Sequence, residues 1–172
     1  MSGFYDLHTH ILPHVDDGAR DMEETRKILE KEYQDGVRTI FATSHYRRNM
    51  FEPSMEKIRE QYALVKAEAA RLYPELRILL GCEFHANMDM VEVLDAGGRP
   101  TLGESRCVLT EFSERSDFRM IQERCYALLT HGYEPVVAHA ERYPAIFKSL
   151  DNLEQLVDMG AYIQMNAGSI IG

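Results

Sequence analysis

The sequence predicts a parallel α/β protein, and two observations carry that prediction. Six short β-rich runs alternate with segments whose apolar residues recur every three or four positions. Alternation of that kind argues for βαβ units with right-handed crossovers and a parallel sheet. Each of the first five runs also closes on a His or Glu, as expected where strand ends converge on the one face of a barrel that carries chemistry.

The elements follow in order. The first run covers about 4–8 (Phe4, Tyr5, Leu7). Asp21 is placed as the N-cap of a first helix with Glu24 as its capping-box partner. Met22, Ile28, Leu29 and Tyr33 then face inward, and Gly36 stops the helix. The second run covers 37–43 (Val37, Ile40, Phe41). Ser54 caps a second helix whose stripe is Met55, Ile58, Tyr62, Val65, Ala69 and Leu72, ended by Pro74. The third run covers 76–82 and the fourth 106–110. Asp117 caps a third helix carrying Phe118, Ile121, Cys125 and Leu128, with Gly132 beyond it. The fifth run is 135–138. A weaker helix over 151–159 carries Leu153, Leu156 and Val157, and the sixth run is 161–165. With no linker, repeat or low-complexity stretch, residues 1–172 read as one domain, in keeping with roughly 150 residues per domain.

Composition narrows the function. The chain is 45% hydrophobic, enough for a packed core, and its net charge is −9 without any Lys/Arg block, which argues against nucleic acid as a partner. No apolar run approaches the roughly 18 residues of a membrane span, and the polar stretch reached by His8 does not suit a signal peptide. Cys82, Cys107 and Cys125 are odd in number and widely spaced. They suit a reduced, cytoplasmic compartment rather than a disulfide framework.

The chemistry is expected where the strands end. The first run leads into His8 and His10, the second ends at His45, the third at Glu83, the fourth at Glu111 and the fifth at His139. Asp, Glu and His make up only about one residue in five, so five such endings in succession are informative. Imidazoles and carboxylates without thiolates form a ligand set for Zn, Mn or Fe. His8 and His10, two apart on a strand, project to the same side and can reach one cluster. Asp16 and Asp17 lie in the following turn, where both suit turn formation and either can supply an oxygen ligand. His14, His85 and His131 fall outside the pattern and are assigned to surface or loop positions.

Arg47 and Arg142 follow ligand positions closely, and guanidinium forks match phosphate oxygens; the competing assignment is a surface ion pair. A Cys-based phosphatase loop would need Arg six residues beyond a cysteine. Those positions hold Met88, Ser113 and His131, and no P-loop is present.

These residues resemble a known family. The segments Asp-Leu-His-Thr-His-Ile-Leu-Pro (6–13), Val-Asp-Asp-Gly (15–18), Thr-Ser-His (43–45) and Gly-Cys-Glu (81–83) occur in order. Leu-Thr-Glu-Phe-Ser (109–113) and Ala-His-Ala-Glu-Arg-Tyr (138–143) follow. Together they are similar to the PHP (polymerase and histidinol phosphatase) superfamily, and more closely to its bacterial capsular and exopolysaccharide tyrosine-protein phosphatases. The resemblance implies a distorted seven-stranded (β/α) barrel holding up to three divalent ions, manganese first, with iron or zinc as alternatives. It implies His8, His10, Asp17, His45, Glu83, Glu111 and His139 as ligands, with Arg142 and Arg47 gripping phosphate. The implied reaction is metal-assisted hydrolysis of phosphotyrosine on the tail of a bacterial tyrosine autokinase.

One departure stands out. The family carries a last Asp-x-His pair that nothing between Gly160 and Gly172 supplies, and 172 residues is short against the roughly 250 of a complete barrel. The expectation is a chain cut before its barrel closes, with an open sheet edge that favours association into homo-oligomers, weak metal binding and low activity. A small-molecule phosphoesterase of the histidinol-phosphate type is the alternative enzyme. A non-catalytic metal-binding fragment is the alternative of a different class.

Overall fold

The computed structural model describes residues 3–171, and it arranges the six predicted runs in sequence order as a curved, all-parallel sheet. Strands β1 (Phe4–Thr9), β2 (Val37–Ala42) and β4 (Arg77–Leu80) form one ladder. Strands β3 (His45–Tyr46), β5 (Glu83–His85), β6 (Cys107–Glu111), β7 (Glu134–Val137) and β8 (Tyr162–Ile163) form the other. The second and third runs correspond to β2 and β4, and each is followed after a short break by a further strand, β3 or β5, beyond the predicted bounds. Bonds from Thr43 N–H to the Thr9 carbonyl, Gly81 N–H to the Ala42 carbonyl and Glu83 N–H to the Ser44 carbonyl carry the ladder across both breaks. The breaks fall next to His45 and Glu83, and the register then sets those two residues side by side. Among the described residues no closed barrel forms: β1 and β8 are each paired on one side only.

Helices cover one face of the arc. Asp21 caps α1 (Met22–Gln34), accepting from the Glu23 and Glu24 N–H groups, a contact typically worth about 1 kcal/mol. The capping box itself does not close. Glu24 instead accepts from the backbone N–H and guanidinium of Arg20, because that pairing adds an opposite charge one residue earlier. Ser54 caps α2 (Met55–Leu72) as expected, and Asp117 caps α4 (Phe118–Thr130). Leu29, Ile40, Ile58, Val65, Ala69 and Ile78 pack α1 and α2 against the first ladder. Ile121, Cys125, Val137 and Leu156 do the same for α4 and α6 (Leu150–Asp158) on the second. Truncating a fully buried member such as Leu29 to Ala would cost about 2–5 kcal/mol.

Three details differ from the sequence reading. Val157, placed on the inner stripe, is 53% exposed, because the short α6 turns only Leu156 fully into the core. The sixth strand shrinks to Tyr162–Ile163, with Met165 half-exposed beyond it. Three short helices, α3 (Met90–Asp95), α5 (Pro144–Phe147) and α7 (Ala167–Ile171), were invisible to periodicity because none spans two full turns.

Candidate metal centre

At the C-terminal ends of the strands lies a cavity of about 490 Å³. His8 and His10 come from the end of β1, His45 opens β3, Glu83 opens β5, Glu111 ends β6, and His139 follows β7. Glu83 is the hub. Its carboxylate is buried, with Oε2 at 3.0 Å from His8 Nε2, 3.1 Å from His10 Nε2 and 2.9 Å from His45 Nδ1. Its Oε1 lies 2.8 Å from His139 Nε2. Glu111 stands 3.8 Å from His45 and 3.9 Å from His139. Burial alone would raise the Glu83 carboxyl pKa, but the four imidazoles hold it far below the usual carboxylate range.

The atoms meet as metal ligands meet. Glu83 Oε2, Glu111 Oε2 and His45 Nδ1 are buried without a hydrogen-bond partner of acceptable geometry, although nitrogens crowd around them. The His8 and His10 Nε2 atoms are 3.2 Å apart. Two nitrogens each about 2.0–2.1 Å from a common ion at ordinary coordination angles stand roughly 3.0–3.4 Å apart. Three groups of donors lie within 4.8 Å of one another: His8–Glu83–His139, His10–Asp17–His45 and His45–Glu83–Glu111. The residues present therefore fit divalent ions, and the donor set is the nitrogen–oxygen mixture such ions take.

Outer partners fix the rings. Gln164 Oε1 accepts from the His139 backbone N–H at 2.6 Å, which identifies that atom as the oxygen. It also accepts from His8 Nδ1 at 3.1 Å. His8 therefore carries a proton on Nδ1, which leaves Nε2 as its atom for ligating an ion. Asp16 Oδ2 does the same for His10 Nδ1 at 2.8 Å. Burial disfavours charge on His10, yet Asp16 and Glu83 push its pKa up to about 10 in the metal-free protein. Asp16 is correspondingly lowered, against the opposing effect of burial. His139 adopts a left-handed backbone, φ 33°, an uncommon conformation for a non-glycine residue. Three hydrogen bonds hold it there, through its N–H, Nδ1 and Nε2.

The structure brings all seven sequence-proposed ligands to one cavity, with Asp17 at its rim: 64% exposed, 3.6 Å from His45 Nε2. Arg47 and Arg142 line the same cavity, and among the described residues neither makes an ion pair. His14 is exposed, and His131 is the exposed C-cap of α4. His85 bonds Asn87 and Ser113 away from the centre. Sequence reasoning missed Gln164 and Tyr143 and left Asp16 as one of two turn aspartates. A neutral amide or phenol has no spacing signal, whereas the doubled Asp of the turn was the one clue available.

Fold and site together define a parallel α/β protein with a preformed nitrogen–oxygen metal centre at its strand ends. The chain belongs to the capsular polysaccharide synthesis family CpsB/CapC, whose sequence profile matches residues 4–172. Tyrosine-protein phosphatase CpsB of Streptococcus pneumoniae is 40% identical over 162 residues, covering 94% of this chain and 67% of that protein. Tyrosine-protein phosphatase YwqE of Bacillus subtilis is 30% identical over 167 residues, covering 97% and 66%. A crystal structure from work on these two proteins, described as unique metal-dependent tyrosine phosphatases, matches with a TM-score of 0.89 at 30% identity. That match covers 98% of this chain and 68% of the other. The chain thus spans about two thirds of the length of these relatives.

Proposed function

We propose that the chain is a metal-dependent phosphatase for phosphotyrosine in the capsule or exopolysaccharide pathway, acting on the phosphorylated tail of a tyrosine autokinase. The observation that carries this reading is the convergence of four imidazoles on Glu83 beside two guanidiniums that make no ion pair among the described residues. Divalent ions, when bound, supply Lewis-acid stabilisation of phosphoryl oxygens and lower the pKa of water. His8, His10, Asp17, His45, Glu83, Glu111 and His139 are proposed to hold up to three such ions, manganese first.

The chain's own residues do the rest. Arg142, exposed at the rim, meets the phosphoryl oxygens and holds the charge that develops on them; Arg47 orients the group from the other wall. The wall beside Arg47 is apolar. Phe51 stacks on His45 with centroids 5.1 Å apart, and Met50 stands 60% exposed next to it. An aryl ring fits such a wall better than a serine backbone does, and the longer tyrosyl ester reaches a recessed centre.

We further propose residues 1–172 as part of one PHP-type domain. The open flank between β1 and β8 is where further strands would continue the sheet towards a seven-stranded barrel. A cytoplasmic location is supported by the three cysteines, all free thiols, two of them buried.

The test compares phosphotyrosine, phosphoserine and histidinol-phosphate substrates with and without Mn²⁺. Phosphotyrosine peptide should be hydrolysed fastest and only with metal, and Arg142→Ala should lower turnover by about tenfold or more. A preference for histidinol phosphate would move the reading to a small-molecule enzyme. No metal-stimulated turnover of any of them would end it.

A further inference from the structure

The turn after β1 holds two adjacent aspartates with opposite environments. The Asp17 carboxylate is 64% exposed, whereas the Asp16 side chain is fully buried. Both Asp16 oxygens are occupied. Oδ2 accepts from His10 Nδ1 at 2.8 Å and from the His45 backbone N–H at 2.8 Å, and Oδ1 accepts from the Gly18 N–H at 3.0 Å. One carboxylate thus ties the end of β1, the start of β3 and the turn between Asp17 and Ala19. These are the three segments that carry His10, Asp17 and His45, one of the donor groups of the centre. Gly18 is what lets the turn fold back so far: a Cβ there would lie 2.3 Å from the His10 side chain and carbonyl.

We propose that Asp16 is a positioning residue of the metal centre: it binds no ion, but spaces His10, Asp17 and His45 and keeps the His10 proton on Nδ1, leaving Nε2 for the ion. The inference rests on the metal-centre reading above. A carboxylate is needed because the position must accept three times and donate nothing. In Asp16→Asn the single amide oxygen can keep only one of the two backbone N–H groups, that of Gly18 from the Oδ1 position or that of His45 from the Oδ2 position. The NH₂ must then face either His10 Nδ1 or a backbone donor, and any bond to His10 would require its proton to move to Nε2. Outer partners of this kind are typically worth about 10–100-fold in metal affinity.

The experiment uses the whole chain stripped of metal. Calorimetric titration with Mn²⁺ is run on wild type, Asp16→Asn and Asp17→Asn, and ¹⁵N spectra of the His10 ring are recorded on wild type loaded with diamagnetic Zn²⁺. Asp16→Asn should bind the same number of ions as wild type at about 10–100-fold weaker affinity, whereas Asp17→Asn should lose stoichiometry. The wild-type His10 ring should show a protonated Nδ1 and a metal-bound Nε2, a readout that stands even if Asp16→Asn fails to fold. Wild-type affinity in Asp16→Asn, a metal-bound His10 Nδ1, or a lost ion in Asp16→Asn equal to that in Asp17→Asn would each overturn the assignment. If wild type binds no ion at all, the metal-centre reading falls with it. Metal binding with an unaffected Asp16→Asn variant sinks only the role of Asp16.

Discussion

His10 follows β1, the strand at one edge, and His139 follows β7, the second strand from the other edge, and their outer nitrogens meet different chemistry. His10 Nδ1 faces the Asp16 carboxylate at 2.8 Å, while His139 Nδ1 faces the Tyr143 hydroxyl at 3.0 Å. A carboxylate can only accept, so the His10 side is preset. A phenol can accept or donate. Tyr143 already accepts from the Phe112 N–H, which leaves it one lone pair and its own proton to offer. The His139 ring can therefore give its Nε2 proton to Glu83 Oε1 without metal, and shift it to Nδ1 when Nε2 is needed as a ligand. The comparison teaches that one side of the centre is fixed by charge and the other can adjust.

Removing the hub breaks both sides at once, so it has the largest expected effect. Glu83→Gln takes the shared anion from four imidazoles and leaves an amide that cannot ligate as a carboxylate does. Elemental analysis should find metal content collapsed, and phosphotyrosine turnover should fall by more than about a hundredfold. His131→Ala, at the exposed C-cap of α4, should leave both unchanged. Equal metal in the two variants would dissolve the comparison itself.

Tyr143→Phe probes the adjustable side and should cost less metal affinity than Asp16→Asn, about tenfold or under. Its larger consequence is structural. The buried Phe112 N–H loses its acceptor, an unsatisfied group typically costing about 1–3 kcal/mol. Thermal unfolding should therefore register this substitution more strongly than metal titration does. The reverse ranking would mean that Tyr143 is tied as tightly to the ion's ligand as Asp16 is.

How much of this was legible in the sequence follows the same division. Strand ends and their charged residues were readable, because a buried parallel strand is a continuous apolar run and its polar terminus stands out against it. His8, His10, His45, Glu83, Glu111 and His139 were found in that way. The caps at Asp21, Ser54 and Asp117 were legible because one side-chain oxygen meets its own helix's N–H groups, a local event. Gln164 and Tyr143 were not. Gln164 reaches His8 across 156 positions of sequence, and neither residue type marks a function on its own. The strands β3 and β5 beyond the breaks at 43–44 and 81–82 were hidden as well, since two or three residues are too few to show a period.

The smallest expected effect concerns pH, and it has opposite signs with and without metal. His10 is raised from 6.5 to about 10 in the metal-free fold, so its pairing with Asp16 and Glu83 stabilises fully below pH 6.5 and is lost as pH rises towards 10. Glu83 and Asp16 are lowered, so their contribution is present above the ordinary carboxylate range and is lost as pH falls through it. Ligation reverses the alkaline side: an ion needs the His10 Nε2 lone pair, so binding releases that proton and tightens as pH rises. Between about pH 6.5 and 8.5, the Tm in EDTA should drift down by a few degrees, while the increment gained from excess Mn²⁺ should grow. Asp16→Asn should flatten the drift in EDTA, because it removes the first partner that holds the proton on His10. Tyr143→Phe should leave the drift in place, since Tyr143 does not touch that ring. A wild-type Tm in EDTA that rises across this interval would show that His10 is not held as a cation there, and the charged side of the centre would be no more preset than the neutral one.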